Sequence, residues 1–160
     1  MRASRPIRLI PAAAVWLLIA AARTPAADNL TLAPDLSFTD DSSGAFPIRG
    51  DHLADTPVVR GRATVVFFGA SHCWNTAREA ERLVALYPKF RDRVSFVVVD
   101  VNHPSEAQQA LMDAHYKGFI PTVVVLAPDG TVVYARAGET AAQRGDAAAL
   151  DALISKALTK

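Results

Sequence analysis

The sequence contains very little cysteine: Cys73 is the only one in 160 residues. A single thiol cannot close a disulfide within its own chain, so small domains held together by internal disulfides are excluded. Cys73 is therefore either a buried apolar side chain or a thiol that reacts with another molecule. The function of the protein depends on which of these two roles Cys73 has.

The chain also lacks a run of basic residues. Its 17 basic and 16 acidic residues give a formal net charge of +1. Proteins that bind nucleic acid carry clustered lysine and arginine to neutralise phosphates, and no such cluster is found here. We therefore expect no nucleic-acid partner.

No apolar run is long enough for an ordinary membrane span, which needs roughly 20 residues. Residues 9–22 form a shorter apolar stretch, and three basic residues precede or begin it: Arg2, Arg5 and Arg8. This pattern predicts a signal peptide over residues 1–26, cleaved after Ala26 or, alternatively, after Ala27. The mature protein would be periplasmic or secreted. A retained membrane anchor is the alternative, and only then would the chain contact a membrane.

Cleavage would remove four of the 17 basic residues and none of the 16 acidic ones, so the mature chain would carry a net charge of about −3. The remaining length suits one domain with one core. We predict an N-terminal extension over residues 27–62 and a folded domain over residues 63–160. Within the extension, residues 36–38 and 46–48 flank a turn at 40–44 and predict a weak hairpin.

Two continuous apolar runs predict strands covered on both faces, at residues 64–68 and 94–101. The helix between them is indicated by apolar residues at helical spacing: Ala80, Leu83, Val84 and Tyr87. Asn102 and Ser105 are candidate caps for a second helix. Its predicted inner face consists of Ala107, Ala110, Leu111 and Ala114.

The C-terminal part predicts a hairpin followed by a helix. Residues 120–126 and 131–134 are apolar runs joined by a turn at 128–130, where Pro-Asp-Gly is a strong turn signal. Asp146 is a candidate cap for the last helix. One apolar stripe follows along that helix: Leu150, Leu153, Ile154, Ala157 and Leu158. Parallel strands joined by helices and closed by a hairpin imply a mixed α/β sheet.

Three segments resemble the thioredoxin family. Residues 65–73 resemble its strand leading into the active-site cysteine, residues 116–122 its approach to a cis-proline, and residues 133–138 its closing strand and glycine. The resemblance covers about residues 60–160. It implies a thioredoxin fold, with a mixed central sheet covered by helices on both faces. The segment 33–36 and the turn at Gly44 more weakly resemble the N-terminal hairpin of exported thioredoxin-like reductases and peroxiredoxins.

The chain departs from this family at the active site itself. The family has two cysteines separated by two residues, whereas Thr76 occupies the second position here. His72 replaces the usual tryptophan, and Phe67 stands where the family has a buried acid. A dithiol cycle within this chain is therefore impossible. A mixed disulfide on Cys73 would need an external thiol to resolve it.

The residues that remain are consistent with an activated monothiol. The thiolate is the reactive form, and a helix N-terminus at Cys73 would favour it. Thr76 is either a hydrogen-bond donor to the sulfur or an ordinary first-turn helix residue. A protonated His72 would add a positive charge, although adjacent side chains need not face each other. The resemblance implies a substrate groove formed by Trp74, Ile120, Pro121 and Gly138, with Pro121 in the cis form.

Three functions stay open. The first is a thiol-disulfide oxidoreductase that exchanges with protein or glutathione thiols and disulfides. The second is a thiol peroxidase, because residues 70–76 also resemble the glutathione peroxidase active-site segment. The third is a non-catalytic peptide-binding module. Residues 68–73 echo Sco-type copper proteins, but Ala77 replaces their second cysteine. We therefore expect no metal and no cofactor.

Overall fold

The computed structural model describes residues 29–56, 58–137 and 140–160. The predicted signal peptide and Gly138 lie outside the described residues. The elements, in chain order, are β1 (Thr31–Leu32), β2 (Ile48–Arg49), β3 (Ala63–Gly69), α1 (Trp74–Phe90), β4 (Val94–Asp100), α2 (Glu106–His115), β5 (Thr122–Leu126), β6 (Val132–Ala137), α3 (Ala141–Arg144) and α4 (Ala147–Ala157).

Four strands form one mixed sheet in the order β4-β3-β5-β6. The inner strand β3 pairs in parallel with β4 and antiparallel with β5, and β5 pairs antiparallel with β6. A parallel pair needs a crossover, and α1 supplies it between β3 and β4. The predicted α/β architecture, with a mixed central sheet, is confirmed.

Helices cover both faces of this sheet because successive side chains of a strand point to opposite sides. On one face, Val65 and Phe67 of β3 pack with side chains of α1 and α4, such as Leu83 and Ile154. On the other face, Val66 and Phe68 belong to a second cluster, against which α2 packs Leu111, Met112 and Tyr116. All of β3 is buried, as its continuous apolar run predicts.

Two of the predicted helix caps are present. Ser105 and Gln108 form a reciprocal capping box at the start of α2. The carboxylate of Asp146 accepts a hydrogen bond from the Ala149 amide at the start of α4. Pro88 lies inside α1, two residues before the helix ends at Phe90.

Of the predicted inner face of α2, Leu111 packs against the core, but the three alanines do not. Ala107, Ala110 and Ala114 are exposed, and Gln108 is buried instead. The Gln108 side-chain amide donates to the carbonyls of Leu53 and Val98. These hydrogen bonds satisfy a buried polar group, whereas the alanines offer little apolar area to bury.

The predicted N-terminal hairpin forms with a different first strand. Thr31 and Leu32 pair with Arg49 and Ile48, so residues 36–38 are not a strand. Ser37 accepts a hydrogen bond from the backbone of Asp40, and Asp40 accepts one from Ser42. Such local side-chain bonds favour turns over strand pairing. The β1–β2 pair nevertheless joins the domain core, through the buried Leu30 and Ile48.

In the described part of the chain, no helix has both the length and the apolar character needed to cross a membrane.

Candidate functional site

Cys73 lies at the junction between the central strand β3 and the helix α1. It is the N-cap residue of α1, with extended backbone angles (φ −142°, ψ 104°). Its side chain is half-buried, so the thiol is neither enclosed in the core nor fully exposed. The sulfur makes no capping hydrogen bond to the first turn. The half-buried Cys73 side chain therefore stands at the positive end of the helix dipole.

One backbone angle and two hydrogen bonds from backbone amides hold the turn that carries Cys73. His72 has a φ of 52°, in the left-handed region, and reverses the chain direction between β3 and α1. The His72 amide donates to the carbonyl of Ser43, at 3.0 Å. The Trp74 amide donates to a carboxylate oxygen of Asp41, at 2.9 Å. The N-terminal extension therefore packs directly against the cysteine turn.

Asp41 places a negative charge at the same helix end as the thiol. A carboxylate there satisfies an amide of the first turn, but it also opposes ionisation of a neighbouring thiol. Sequence analysis missed this residue, because 32 positions separate Asp41 from Cys73 and no local pattern links them.

We expect Asp41→Asn to raise the rate of Cys73 alkylation by iodoacetamide at pH 7 about two- to fivefold, since helix-end charge effects are worth roughly 0.3–1 kcal/mol. The amide keeps a hydrogen-bond acceptor for Trp74 while removing the charge. Asp40→Asn is the matched control, because it removes the adjacent carboxylate; hydrogen bonds from Ser42 and Ser37 hold the pKa of Asp40 below its usual value. An equal rate in all three proteins would contradict this electrostatic role.

Thr76 does not assist the thiol in the predicted way. It is fully buried, and within the described residues its hydroxyl has no hydrogen-bond partner. The hydrogen bond from Thr76 to the Cys73 sulfur is therefore absent. The methyl group of Thr76 packs toward Gly69, where an added Cβ would stand only 2.5 Å from it. This close approach requires glycine at the end of β3.

Phe67 gives the site an apolar interior. It is completely buried and meets the ring of Phe46 edge-on, with 6.5 Å between the ring centroids. Because an aromatic ring stands where the thioredoxin family has a buried acid, this position cannot accept or donate a proton.

The described groove residues predicted from the resemblance, Trp74, Ile120 and Pro121, lie at one end of the sheet. Phe68 of β3 is in register with Thr122 of β5, so Pro121 lies at the end of the sheet that also carries the Cys73 turn. The peptide bond between Ile120 and Pro121 is cis, and Ile120 is half-buried. Phe119, which the sequence analysis did not select, is 63 % exposed beside them. The last residue of β6, Ala137, pairs with Thr122 at the start of β5.

Two arginines flank the first turns of α1, and sequence analysis missed both. The Arg78 guanidinium lies over the Trp74 ring, 4.9 Å from its centroid. Arg144 reaches α1 from α3 and donates to the side-chain oxygen of Asn75, at 2.7 Å. The spacing of Trp74 and Arg78, one helical turn apart, is a signal that could have found the first pair. No sequence pattern could have found the second.

Among residues 29–56, 58–137 and 140–160, no group of three or more histidine, cysteine, aspartate or glutamate side chains could hold a metal ion.

Comparisons with known proteins give structural neighbours only. No protein-family model and no curated protein sequence matches the chain. Among solved structures, Fasciola hepatica thioredoxin is 27% identical, with 61% of this chain and 82% of that one covered and a TM-score of 0.45. Thioredoxin-2 of the malaria parasite is 18% identical, with 61% of this chain and 85% of that one covered and a TM-score of 0.49. A thioredoxin-like protein from Porphyromonas gingivalis is 21% identical, with 62% of this chain and 77% of that one covered and a TM-score of 0.45.

The strands of the main sheet lie in the order β4-β3-β5-β6. Strand β5 is antiparallel to β3, and β6 is antiparallel to β5. This strand order and these directions are those of the thioredoxin-like fold. The chain therefore has a thioredoxin-like fold. Within that fold its cysteine turn has a single thiol, because threonine stands at the second cysteine position.

Proposed function

We propose that the chain is an exported thiol-disulfide oxidoreductase that works through the single thiol of Cys73. The observation that carries the proposal is the position of this side chain: half-buried, at the N-cap of α1, at the end of the sheet where Pro121 directly precedes β5. An inert cysteine would be expected among the fully buried core residues. A helix N-terminus favours the thiolate, which is the attacking form.

The proposed reaction is a thiol-disulfide exchange. The Cys73 thiolate attacks one sulfur of a disulfide, the Cys73–sulfur bond forms, and the original sulfur–sulfur bond breaks. The second sulfur leaves as a thiolate. An external thiol then attacks the mixed disulfide and releases Cys73, because the chain has no second cysteine to do so. Protein thiols or glutathione are the partners we propose for both steps.

Export is proposed from residues 1–26 alone, where basic residues precede a short apolar stretch. A periplasmic or secreted location would expose Cys73 to oxidised thiols, the substrates that the reaction requires. N-terminal sequencing of the protein recovered from the expressing cell tests this part of the proposal, with Ala27 as the expected first residue.

We expect the purified protein to gain one glutathione by mass when incubated with glutathione disulfide at pH 7. An excess of an external thiol should remove the adduct completely. Cys73→Ser removes only the sulfur and should form no adduct. A folded wild-type protein that forms no adduct would contradict the proposal. Consumption of hydrogen peroxide with a sulfenic acid on Cys73 would favour a thiol peroxidase instead.

A further inference from the structure

A cavity of about 320 Å³ lies beside the first turns of α1, and two arginine side chains belong to its lining. The described residues that line it are Phe38, Arg78, Glu81, Arg144 and Gly145. Because two guanidinium groups face one carboxylate in this set, the lining has an excess of positive charge.

Neither guanidinium has a carboxylate partner within the described residues. Arg144 is only 8 % exposed, its Nε atom has no hydrogen-bond partner, and its contact with Asn75 is to a neutral amide. Arg78 donates through Nε to the carbonyl of Phe38, at 2.8 Å, and the rest of its guanidinium lies over Trp74. A buried cation without a compensating anion is costly, so the cavity favours an anionic ligand.

Both guanidinium groups contact residues of the first turn of α1, directly after Cys73. Arg78 lies over the residue one position after Cys73, and Arg144 bonds the residue two positions after it. Arg78 is five residues beyond Cys73, which corresponds to about 8 Å along the axis of α1. In a tripeptide thiol of the glutathione class the sulfur branches from the central residue, so each end of the tripeptide lies about two residue lengths, roughly 7 Å, from it. A tripeptide thiol joined to Cys73 would therefore bring its carboxylate to the cavity.

We propose that this cavity binds a carboxylate of an acidic low-molecular-weight thiol of the glutathione class while its sulfur is joined to Cys73. The inference rests on the proposed function and names the substrate class of the same site. Arginine matches a carboxylate through paired, charge-assisted hydrogen bonds. The Arg78 and Arg144 guanidinium groups are positioning groups for the mixed disulfide: Cys73 displaces one acidic thiolate from the symmetrical disulfide and retains the other.

The test compares two disulfides of one skeleton: glutathione disulfide, with free carboxylates, and the disulfide of glutathione diethyl ester, in which both carboxylates of each glutathione are esterified. Rates of adduct formation are measured by intact mass at pH 7 and low salt. We expect the wild type to prefer the free acid about tenfold, as charge-assisted hydrogen bonds allow. Arg78→Gln and Arg144→Gln should each lower this preference severalfold. Glu81→Gln should raise it, because it removes the carboxylate from the lining.

Arg60→Gln is the matched control. Arg60 is exposed and away from the cavity lining, and the change removes the same unit of charge. Its preference should equal that of the wild type. Arg78 is only half-buried, so Arg78→Gln keeps the test informative if the buried Arg144 variant does not fold.

The possible failures are distinct. If Cys73 reacts equally fast with both disulfides, the carboxylate site is refuted while the proposed oxidoreductase function stands. If Arg60→Gln lowers the preference as much as Arg78→Gln, the effect is general electrostatics and the site is refuted. If Cys73 reacts with neither disulfide, both the function and the site are refuted.

Discussion

A Thr76→Cys variant is expected to reduce the disulfides of insulin about tenfold faster than the wild type or more. Cys73 is the N-cap of α1 and Thr76 is the third residue of the helix, so the two side chains belong to the same first turn. A second thiol there would resolve the mixed disulfide within the molecule. Intramolecular attack is favoured over attack by a dissolved thiol because the reacting groups are already held together.

Two variants separate this effect from others. Thr76→Ser keeps a hydroxyl and a single thiol, and its activity should stay at the wild-type level. Thr76→Cys combined with Cys73→Ser leaves only the buried thiol, since position 76 is fully buried, and should be inactive. If Thr76→Cys is folded by circular dichroism and shows no gain, the turn does not present Cys73 to a protein disulfide.

Glu79→Ala is expected to lower the free energy of unfolding by about 3–5 kcal/mol, the usual cost of removing one partner of a buried ion pair. Glu79 and Arg82 form such a pair in α1, with side chains only 2 % and 3 % exposed. The Arg82 Nε atom donates to the Glu79 carboxylate, at 2.9 Å. Arg82 also donates to the Gln143 carbonyl, at 2.7 Å, so the pair fixes the connection between α3 and α4 against α1.

The stability change is measured by urea denaturation. Glu81→Ala is the matched control, because Glu81 is an exposed glutamate on the same helix and its removal should change stability by no more than about 0.5 kcal/mol. The double variant Glu79→Leu with Arg82→Met should recover much of the loss, since it removes both charges at similar volume. Equal effects of Glu79→Ala and Glu81→Ala would contradict the assigned role of the ion pair.

The sequence was sufficient to predict the central sheet and its helices. Buried strands such as β3 appear as continuous apolar runs, and a Pro-Asp-Gly turn between two runs determines a hairpin through local chemistry. Gly130 has the positive φ, 86°, that such a turn requires. These features depend on neighbouring residues, which is why they can be read without knowledge of the fold.

The parts that could not be predicted depend on distant residues. Gln108 is buried because the carbonyls of Leu53 and Val98 are there to accept its hydrogen bonds, and helical periodicity alone assigns that face to alanine. Asp41 and Arg144 reach the first turn of α1 from opposite parts of the chain. Their roles follow from tertiary packing, and no spacing in the sequence predicts them.

The cysteine itself is an intermediate case. The position of Cys73 between a buried strand and a helix follows from the sequence pattern, and the structure has Cys73 at the N-cap of α1. Of the two roles left open for Thr76, the structure shows the ordinary first-turn helix residue, with its methyl group toward Gly69 and no hydrogen bond to the sulfur. The direction of the Thr76 hydroxyl depends on rotation about one side-chain bond, and the sequence pattern does not predict that rotation.

The most direct measurement is the rate at which Cys73 forms a mixed disulfide with glutathione disulfide at pH 7, in the folded protein and in the same protein unfolded by urea. In the Asp41→Asn variant, which lacks the opposing carboxylate at the end of α1, we expect the folded protein to react about two- to fivefold faster than the unfolded one. A sulfur that reacts only after unfolding would contradict the account, because Cys73 would then be an inaccessible side chain and not the attacking thiol.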